Sequence, residues 1–181
     1  TVASFPVALL TRTKAKASGV EWGLLAWLGV GDALNVFCFF AAYKHTTVAI
    51  AVLTHYLTPL FVALLAPLVL RDRLQRSAWG FALVALVGLG LLLRPWSQSF
   101  SEGDARGACF GAASAVFYAS NVLVNKRISK VFSAGELMFL HGLVATPLLL
   151  LMVPRASWTE ASPIALSWVA LASLGPGAIS G

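Results

Sequence analysis

The sequence contains few of the residues that enzymes use for chemistry. Its 181 residues include only two cysteines, three histidines and seven acidic residues. It has no Cys-x-x-Cys pair, no His-Glu-x-x-His motif, no Gly-x-Ser-x-Gly motif and no Gly-x-x-x-x-Gly-Lys phosphate loop. These absences argue against an enzyme and against an ATP-driven pump within this chain. No catalytic residue, cofactor or metal site is therefore predicted.

Charge is scarce as well, and apolar residues dominate. Charged residues make up 11% of the chain and hydrophobic residues 59%, and the mean hydropathy is +0.83. Residues 47–70 form an apolar run whose helix would be long enough to cross a bilayer. Similar segments lie at 21–43, 77–93, 106–124, 134–153 and 163–181. A soluble domain could not bury that much apolar surface, so the composition predicts an all-α, polytopic integral membrane protein.

The two ends of the sequence predict a piece of a longer protein. The chain begins with Thr1 rather than Met, and it ends at Gly181 inside an apolar stretch too short to be a complete span. Residues 1–10 are interpreted as the end of an earlier helix, with an irregular terminus as the alternative.

Basic residues predict the orientation of the helices. Successive connections alternate sides of the membrane, and the 13 Lys and Arg residues divide into nine on one side and four on the other. The positive-inside rule makes the richer side cytoplasmic. The net charge of +6 is thus a topology signal. A nucleic-acid partner is not expected, because the charges lie in short loops and form no basic face.

Local patterns predict where helices begin, and a weak repeat indicates how they are arranged. Three Ser-x-x-acid pairs have the spacing of a capping box: Ser18 with Glu21, Ser101 with Asp104, and Ser133 with Glu136. The pattern Leu-Ala-x-Leu-Gly-x-Gly occurs at residues 25–31 and again at 171–177, five helices later and therefore inverted in the membrane. Inverted repeats with a site near the midplane are the construction of many secondary transporters.

One part of the sequence carries a family resemblance. It comprises residues 42–61, the cluster Arg71-Asp72-Arg73 within 70–74, and a helix with Gly80, Gly88 and Gly90. These features resemble the EamA domain of the drug/metabolite transporter (DMT) superfamily. One departure is Asp72, where the family usually has Glu.

The resemblance implies a fold of ten transmembrane helices in two inverted five-helix repeats, with cytoplasmic termini and a central cavity. Matched to that pattern, this chain would run from the end of the second family helix to the start of the eighth. Residues 1–93 would belong to the first repeat, 94–105 would be a non-cytoplasmic linker, and 106–181 would begin the second repeat.

The resemblance also implies a function. The expected protein is a secondary transporter in a bacterial inner membrane that moves small metabolites, such as amino acids or drug-like compounds, usually outward. Its expected partners are a small-molecule substrate and the lipid bilayer, and its oligomeric state stays open. One alternative is a nucleotide-sugar or sugar-phosphate translocator of the same superfamily, although no Lys or Arg lies deep in these spans. Another is a membrane enzyme or scaffold that does not transport.

Polar residues within the spans are the candidates for substrate binding or cavity lining. Asp32 lies about 15 Å beyond the start of its helix, where an ionised carboxylate costs about 2.5–3.5 kcal/mol. Asn35 lies one turn further along the same face. The pair either lines a translocation cavity, where Asp32 is the candidate carrier of a coupling proton, or joins neighbouring helices.

Pro59 predicts a kink in the segment 47–70 and is the candidate gate. It has no N–H to donate to the His55 carbonyl, four residues back, so the helix should bend there. Thr54, His55 and Thr58 would surround the freed carbonyl. His55 is itself a candidate for substrate binding or proton exchange, with a hydrogen bond to a neighbouring helix as the alternative.

A polar face is predicted on the fourth span. Tyr118, Asn121 and Asn125 recur at helical spacing. Asn125 is expected at the cytoplasmic surface beside Lys126, which leaves Tyr118 and Asn121 as candidates to line the cavity. Inward hydrogen-bonding side chains orient a solute or tie helices together, and the sequence alone does not choose between these roles.

Overall fold

The chain is all-helical throughout its described part. The computed structural model describes residues 16–70, 76–93, 96, 101–152, 162, 164 and 167. Six α-helices lie within these ranges: α1 (Gly19–His45), α2 (Val48–His55), α3 (Thr58–Leu70), α4 (Arg76–Leu93), α5 (Glu102–Ile128) and α6 (Ala134–Met152). These ranges contain no β-strand, and the predicted all-α class is confirmed.

Four segments of the described chain are long and apolar enough to cross a membrane. They are α1, the stretch Val48–Leu70 that contains α2 and α3, α5, and α6. In α4 the apolar stretch is shorter, Ala82–Leu91. Large apolar side chains such as Leu68, Val84 and Leu151 are exposed, which suits surfaces that face lipid rather than water.

The apolar run 47–70, predicted as one bent helix, is instead two helices. The first ends at His55 and the second begins at Thr58. Because Pro59 has no N–H, the His55 carbonyl would lose its helical partner. The Thr58 hydroxyl donates to that carbonyl at 2.7 Å instead. The freed carbonyl is thereby paired inside an apolar segment, and the helix can stop there and restart.

Two predicted capping boxes form completely. At the start of α5, the Ser101 N–H donates to Asp104 at 2.7 Å, and the Asp104 N–H donates back to the Ser101 hydroxyl at 3.3 Å. Ser133 and Glu136 make the same two bonds, at 2.9 and 3.3 Å, at the start of α6. These boxes satisfy N–H groups that a first helical turn leaves without partners.

The remaining box is formed through its carboxylate. Glu21 accepts a hydrogen bond from the Ser18 N–H at 2.6 Å, just before α1 begins. The helix α5 begins at Glu102, directly after the Ser101 of its predicted capping box and four residues before the apolar segment 106–124. Capping thus determines these helix starts more closely than the limits of the apolar stretches do.

The chain divides into two compact units. One is Gly31–Val124, and the other takes in the residues up to Val30 and from Asn125. In the second unit, α1 and α6 approach closely at Gly29, where an added Cβ would lie 2.7 Å from the His141 carbonyl oxygen. A methyl group would not fit there, so the glycine permits this helix contact.

Several predictions lie outside the described residues. They concern the helix end at 1–10, Asp72 with its flanking arginines, half of the linker 94–105, most of the sixth apolar segment at 163–181, and the second copy of the repeat at 171–177. The division into residues 1–93, 94–105 and 106–181 stays a prediction.

Candidate functional site

The six candidate residues lie in the compact unit Gly31–Val124. There α1 and α5 run side by side in opposite directions. Near the start of this part of α1, Gly31 lies against the Asn121 side chain at the far end of α5. Just beyond the end of α1, the Thr46 hydroxyl donates a hydrogen bond to Asp104 in the first turn of α5. The face of α1 between these contacts therefore lies along α5.

Gly111 on α5 allows α2 to approach it. A Cβ at Gly111 would collide with the Thr54 hydroxyl and lie 3.1 Å from the Ala51 carbonyl oxygen. Thr54 donates to the Ile50 carbonyl at 2.7 Å within its own helix. Thr58 alone of the two threonines therefore pairs the freed His55 carbonyl. This close packing brings the last turn of α2 against α5.

His55 is held between α1 and α5. Its Nδ1 lies 2.8 Å from the hydroxyl of Ser114, a side chain with no exposed surface. The Ser114 hydroxyl in turn lies 2.7 Å from the Gly111 carbonyl oxygen, to which it donates. The imidazole also contacts the rings of Phe39 on α1 and Tyr118 on α5, with centroids 4.6 and 5.6 Å away. Two helices thus fix the ring on more than one side.

Two buried amide groups lie along the same helix pair. Gly31, Asn35 and Phe39 follow one another at four-residue intervals, so they share one face of α1. Asn35 is 9% exposed and Asn121 is 6% exposed. The Oδ1 atoms of both have no hydrogen-bond partner among the described residues. An unpaired buried oxygen costs about 1–3 kcal/mol, so each calls for an explanation.

Tyr118 and Asp32 complete the polar surface. On α5, Ser114, Tyr118 and Asn121 are spaced four and three residues apart and lie on one face. The Tyr118 side chain is 44% exposed, so it is not enclosed by this unit. Asp32 is half-buried and lies seven residues before Phe39. The two residues are therefore on the same side of α1, about 10 Å apart along its axis.

The structure brings together Asn35, His55, Tyr118 and Asn121, which we call the polar face, and adds Ser114 to it. Pro59 lies one turn beyond His55 and shapes the interruption rather than this face. The sequence reading missed Ser114, although its position four residues before Tyr118 extends the helical spacing of polar residues. Phe39 was missed as well, because it is apolar and the candidates were chosen for their polarity.

Other features of this unit are less informative about ligands. Within the described residues, no three His, Cys, Asp or Glu side chains lie close enough to hold a metal ion. A cavity of about 270 Å³ lies between the interruption and α4. It is lined by Leu53, Thr54, Leu57, Leu86, Val87 and Gly90. This lining is almost entirely apolar and includes none of the candidate residues.

Comparison with known proteins agrees with the architecture. The EamA-like transporter family matches residues 1–94. Two relatives, both named Pseudopaline exporter CntI and both from Pseudomonas aeruginosa (strains UCBPP-PA14 and PAO1), are 31% identical over 118 residues. Each match covers 65% of this chain and 40% of the relative. The chain thus spans about 40% of the length of these curated relatives, and no solved structure matches it significantly.

The family match and the apolar helices support one assignment. The chain is an integral membrane protein, and its bacterial relatives indicate the inner membrane as its location. The resemblance drawn from residues 42–61 and the glycine-rich helix is confirmed. With more than half of its residues matched, the chain belongs to the EamA-like transporter family.

Proposed function

We propose that this chain is part of a secondary transporter that exports small metabolites, such as amino acids or drug-like compounds, from bacterial cells. The names of the two relatives support outward transport, and they make pseudopaline a cargo to test first. The proposed arrangement is that residues 1–93 and 106–181 belong to two inverted repeats joined by the linker 94–105.

The observation that carries the proposal is the pair of unpaired amide oxygens on the polar face. Within a bilayer no water is at hand to pair a buried polar atom. Residues that only tie helices together find hydrogen-bond partners on those helices. The Oδ1 atoms of Asn35 and Asn121 have none among the described residues. A polar cargo bound at the polar face would supply the missing donors.

The distribution of positive charge favours this proposal over a sugar-phosphate or nucleotide-sugar translocator. Phosphate groups are bound by Arg and Lys side chains. On α1 the lysine is in the last turn, at Lys44, and on α5 the basic residues are Arg106 near the start and Lys126 and Arg127 at the end. The polar face between them has no Lys or Arg. A membrane enzyme or scaffold is disfavoured because the sequence has no recognisable catalytic motif.

Asp32 is the proposed site of a coupling proton. Its carboxylate lies on the side of α1 that reaches His55 through Phe39, at a depth where an ionised group is costly. A carboxyl group that binds a proton from one side of the membrane and releases it to the other would drive export without ATP.

The experiment uses the full-length protein in everted inner-membrane vesicles, with pseudopaline and a mixture of labelled amino acids as probes. We expect accumulation of at least one probe that depends on an imposed proton gradient. Asp32→Asn should abolish the dependence on the gradient, whereas Glu102→Gln, at an exposed helix start, should not. Accumulation equal to that of vesicles without the protein for every probe, or accumulation that requires ATP, would contradict the proposal.

A further inference from the structure

The His55–Ser114 contact determines which imidazole nitrogen carries hydrogen. Ser114 is completely buried, and its hydroxyl donates to the Gly111 carbonyl oxygen at 2.7 Å. A hydroxyl group has one hydrogen to donate and two lone pairs to accept with. With that hydrogen directed to Gly111, the Ser114 oxygen is left to accept at His55. In this arrangement the Nδ1 atom, 2.8 Å away, is the donor.

This arrangement gives the other nitrogen a defined role. A neutral imidazole with hydrogen on Nδ1 presents a lone pair at Nε2. The contact with Ser114 is made by Nδ1, so it leaves the Nε2 side of the ring for another partner. The Oδ1 atoms of Asn35 and Asn121 are also acceptors without a donor. The polar face is therefore rich in unused acceptors.

The rings around His55 favour the same kind of ligand. Phe39, Tyr56 and Tyr118 have ring centroids within 4.6–6.2 Å of the imidazole. Aromatic faces attract cations through their electron-rich surfaces. The polar face thus combines acceptor atoms with aromatic rings and contains no Lys or Arg. Such a site favours a positively charged group that donates hydrogen bonds.

We propose that Ser114 is a positioning residue that holds His55 with hydrogen on Nδ1, so that Nε2 accepts a hydrogen bond from an ammonium or other N–H group of the cargo. This inference rests on the proposed function, because it names the chemical group that the same site binds. It assigns the recognition step to His55 and the orientation of the ring to Ser114. Carboxylate and phosphate groups are disfavoured at this position, since they offer no hydrogen to Nε2 of the neutral ring.

The first test observes the imidazole directly and needs no transport. The full-length protein, labelled with nitrogen-15 histidine, is studied by solid-state NMR in lipid bilayers at a pH where the imidazole is neutral. His55→Asn identifies the His55 signals. We expect hydrogen on Nδ1 in the wild type and in Ser114→Thr, which keeps the hydroxyl. Ser114→Ala should lose this preference.

Two results of this test would overturn the proposal. One is hydrogen on Nε2 in the wild type, which would mean that Ser114 donates to His55. The other is a folded Ser114→Ala protein whose His55 signals match the wild type. The wild-type measurement does not depend on the variant. It can therefore overturn the proposal even if Ser114→Ala fails to fold.

The second test compares two probes of similar size, phenethylammonium and phenylacetate. Phenethylammonium should shift the His55 Nε2 signal in the wild type. Half-saturation in Ser114→Ala should require about tenfold more of it, since the variant loses about 1.4 kcal/mol of preference for the accepting tautomer and ring orientation. Phenylacetate should leave the signal unchanged. Equal shifts by both probes, or equal half-saturation in both proteins, would overturn the proposal. If the probes behave as expected while no vesicle transport occurs, the proposed function fails and this inference about the group bound does not.

Discussion

At the scale of single residues, Asn35 is a buried polar side chain that helix packing does not explain. It is 9% exposed, and its Oδ1 has no donor among the described residues. Such an atom lowers the free energy of unfolding by about 1–3 kcal/mol relative to a paired one. An apolar side chain of similar size would avoid that cost. A polar residue at this position therefore indicates a contact with something that the folded chain itself does not supply.

Replacement of Asn35 by Leu should show whether Asn35 contacts cargo or has only a structural role. We expect the melting temperature of the full-length protein in detergent to stay the same or rise, because an unpaired polar atom is removed. Vesicle transport should be lost. The control is Asn125→Leu, at an exposed position on α5, which should keep both stability and transport. A lower melting temperature with normal transport in Asn35→Leu would show that Asn35 is structural.

Residue roles that depend on sequence neighbours could be predicted, and those that depend on distant residues could not. Glu136 and Ser133 are three residues apart, so their capping box follows from local spacing alone. The partner of His55 is 59 residues away. Spacing shows that Tyr118 and Asn121 share a face of one helix, but not which helix meets that face. The glycine contacts that bring α2 to α5 decide this, and a single sequence gives no pairing for them.

At the scale of helices, the interruption between α2 and α3 is the feature with the clearest cause. Pro59 removes one backbone donor, and the Thr58 hydroxyl takes its place at the His55 carbonyl. Pro67 also removes a donor, yet α3 continues through it. Pro67 by itself therefore does not end its helix, whereas Pro59 together with the Thr58 hydroxyl accompanies a complete break. The sequence predicted the freed carbonyl correctly but offered both Thr54 and Thr58 as partners.

Pro59→Ala should join α2 and α3 into one helix. The new N–H would donate to the His55 carbonyl, worth about 1 kcal/mol, and opening at this point should become about fivefold slower. We expect the rate of vesicle transport to fall about fivefold as well, while the amount of protein in the membrane stays normal. Pro67→Ala is the matched control, because its helix is already continuous, and it should keep the wild-type rate. Equal rates in Pro59→Ala and the wild type would show that the interruption has no part in gating.

At the scale of the whole molecule, composition and loop charge carried most of the predictable information. The membrane class follows from apolar segments that no soluble fold could bury, and four such segments are present in the described helices. The predicted orientation rests on nine basic residues in the connections of one side and four in those of the other. Composition and loop charge do not predict the two-repeat arrangement. That prediction depends on the family resemblance and on residues outside the described ranges.

Orientation can be tested with single cysteines at exposed positions of a cysteine-free full-length protein. The four substitutions are Lys16→Cys, Lys44→Cys, Ser101→Cys and Lys130→Cys, all at exposed residues. A membrane-impermeant thiol reagent added to intact cells should label the two at residues 44 and 101. Those at residues 16 and 130 should be labelled after the cells are opened. Labelling of all four from the same side would refute the predicted topology.

The central claim, that cargo passes along the polar face, is tested most directly by two cysteine substitutions on α1. Asn35 is buried against that face, whereas Phe37, two residues further on, is 44% exposed on the apolar surface. The measurement is the reaction of Asn35→Cys and Phe37→Cys with a charged, membrane-impermeant thiol reagent during active transport in vesicles. We predict that Asn35→Cys reacts and loses transport, that pseudopaline or another transported cargo slows this reaction, and that Phe37→Cys does not react, since lipid excludes the reagent. An inert Asn35→Cys, or equal reaction at both positions, would contradict the account.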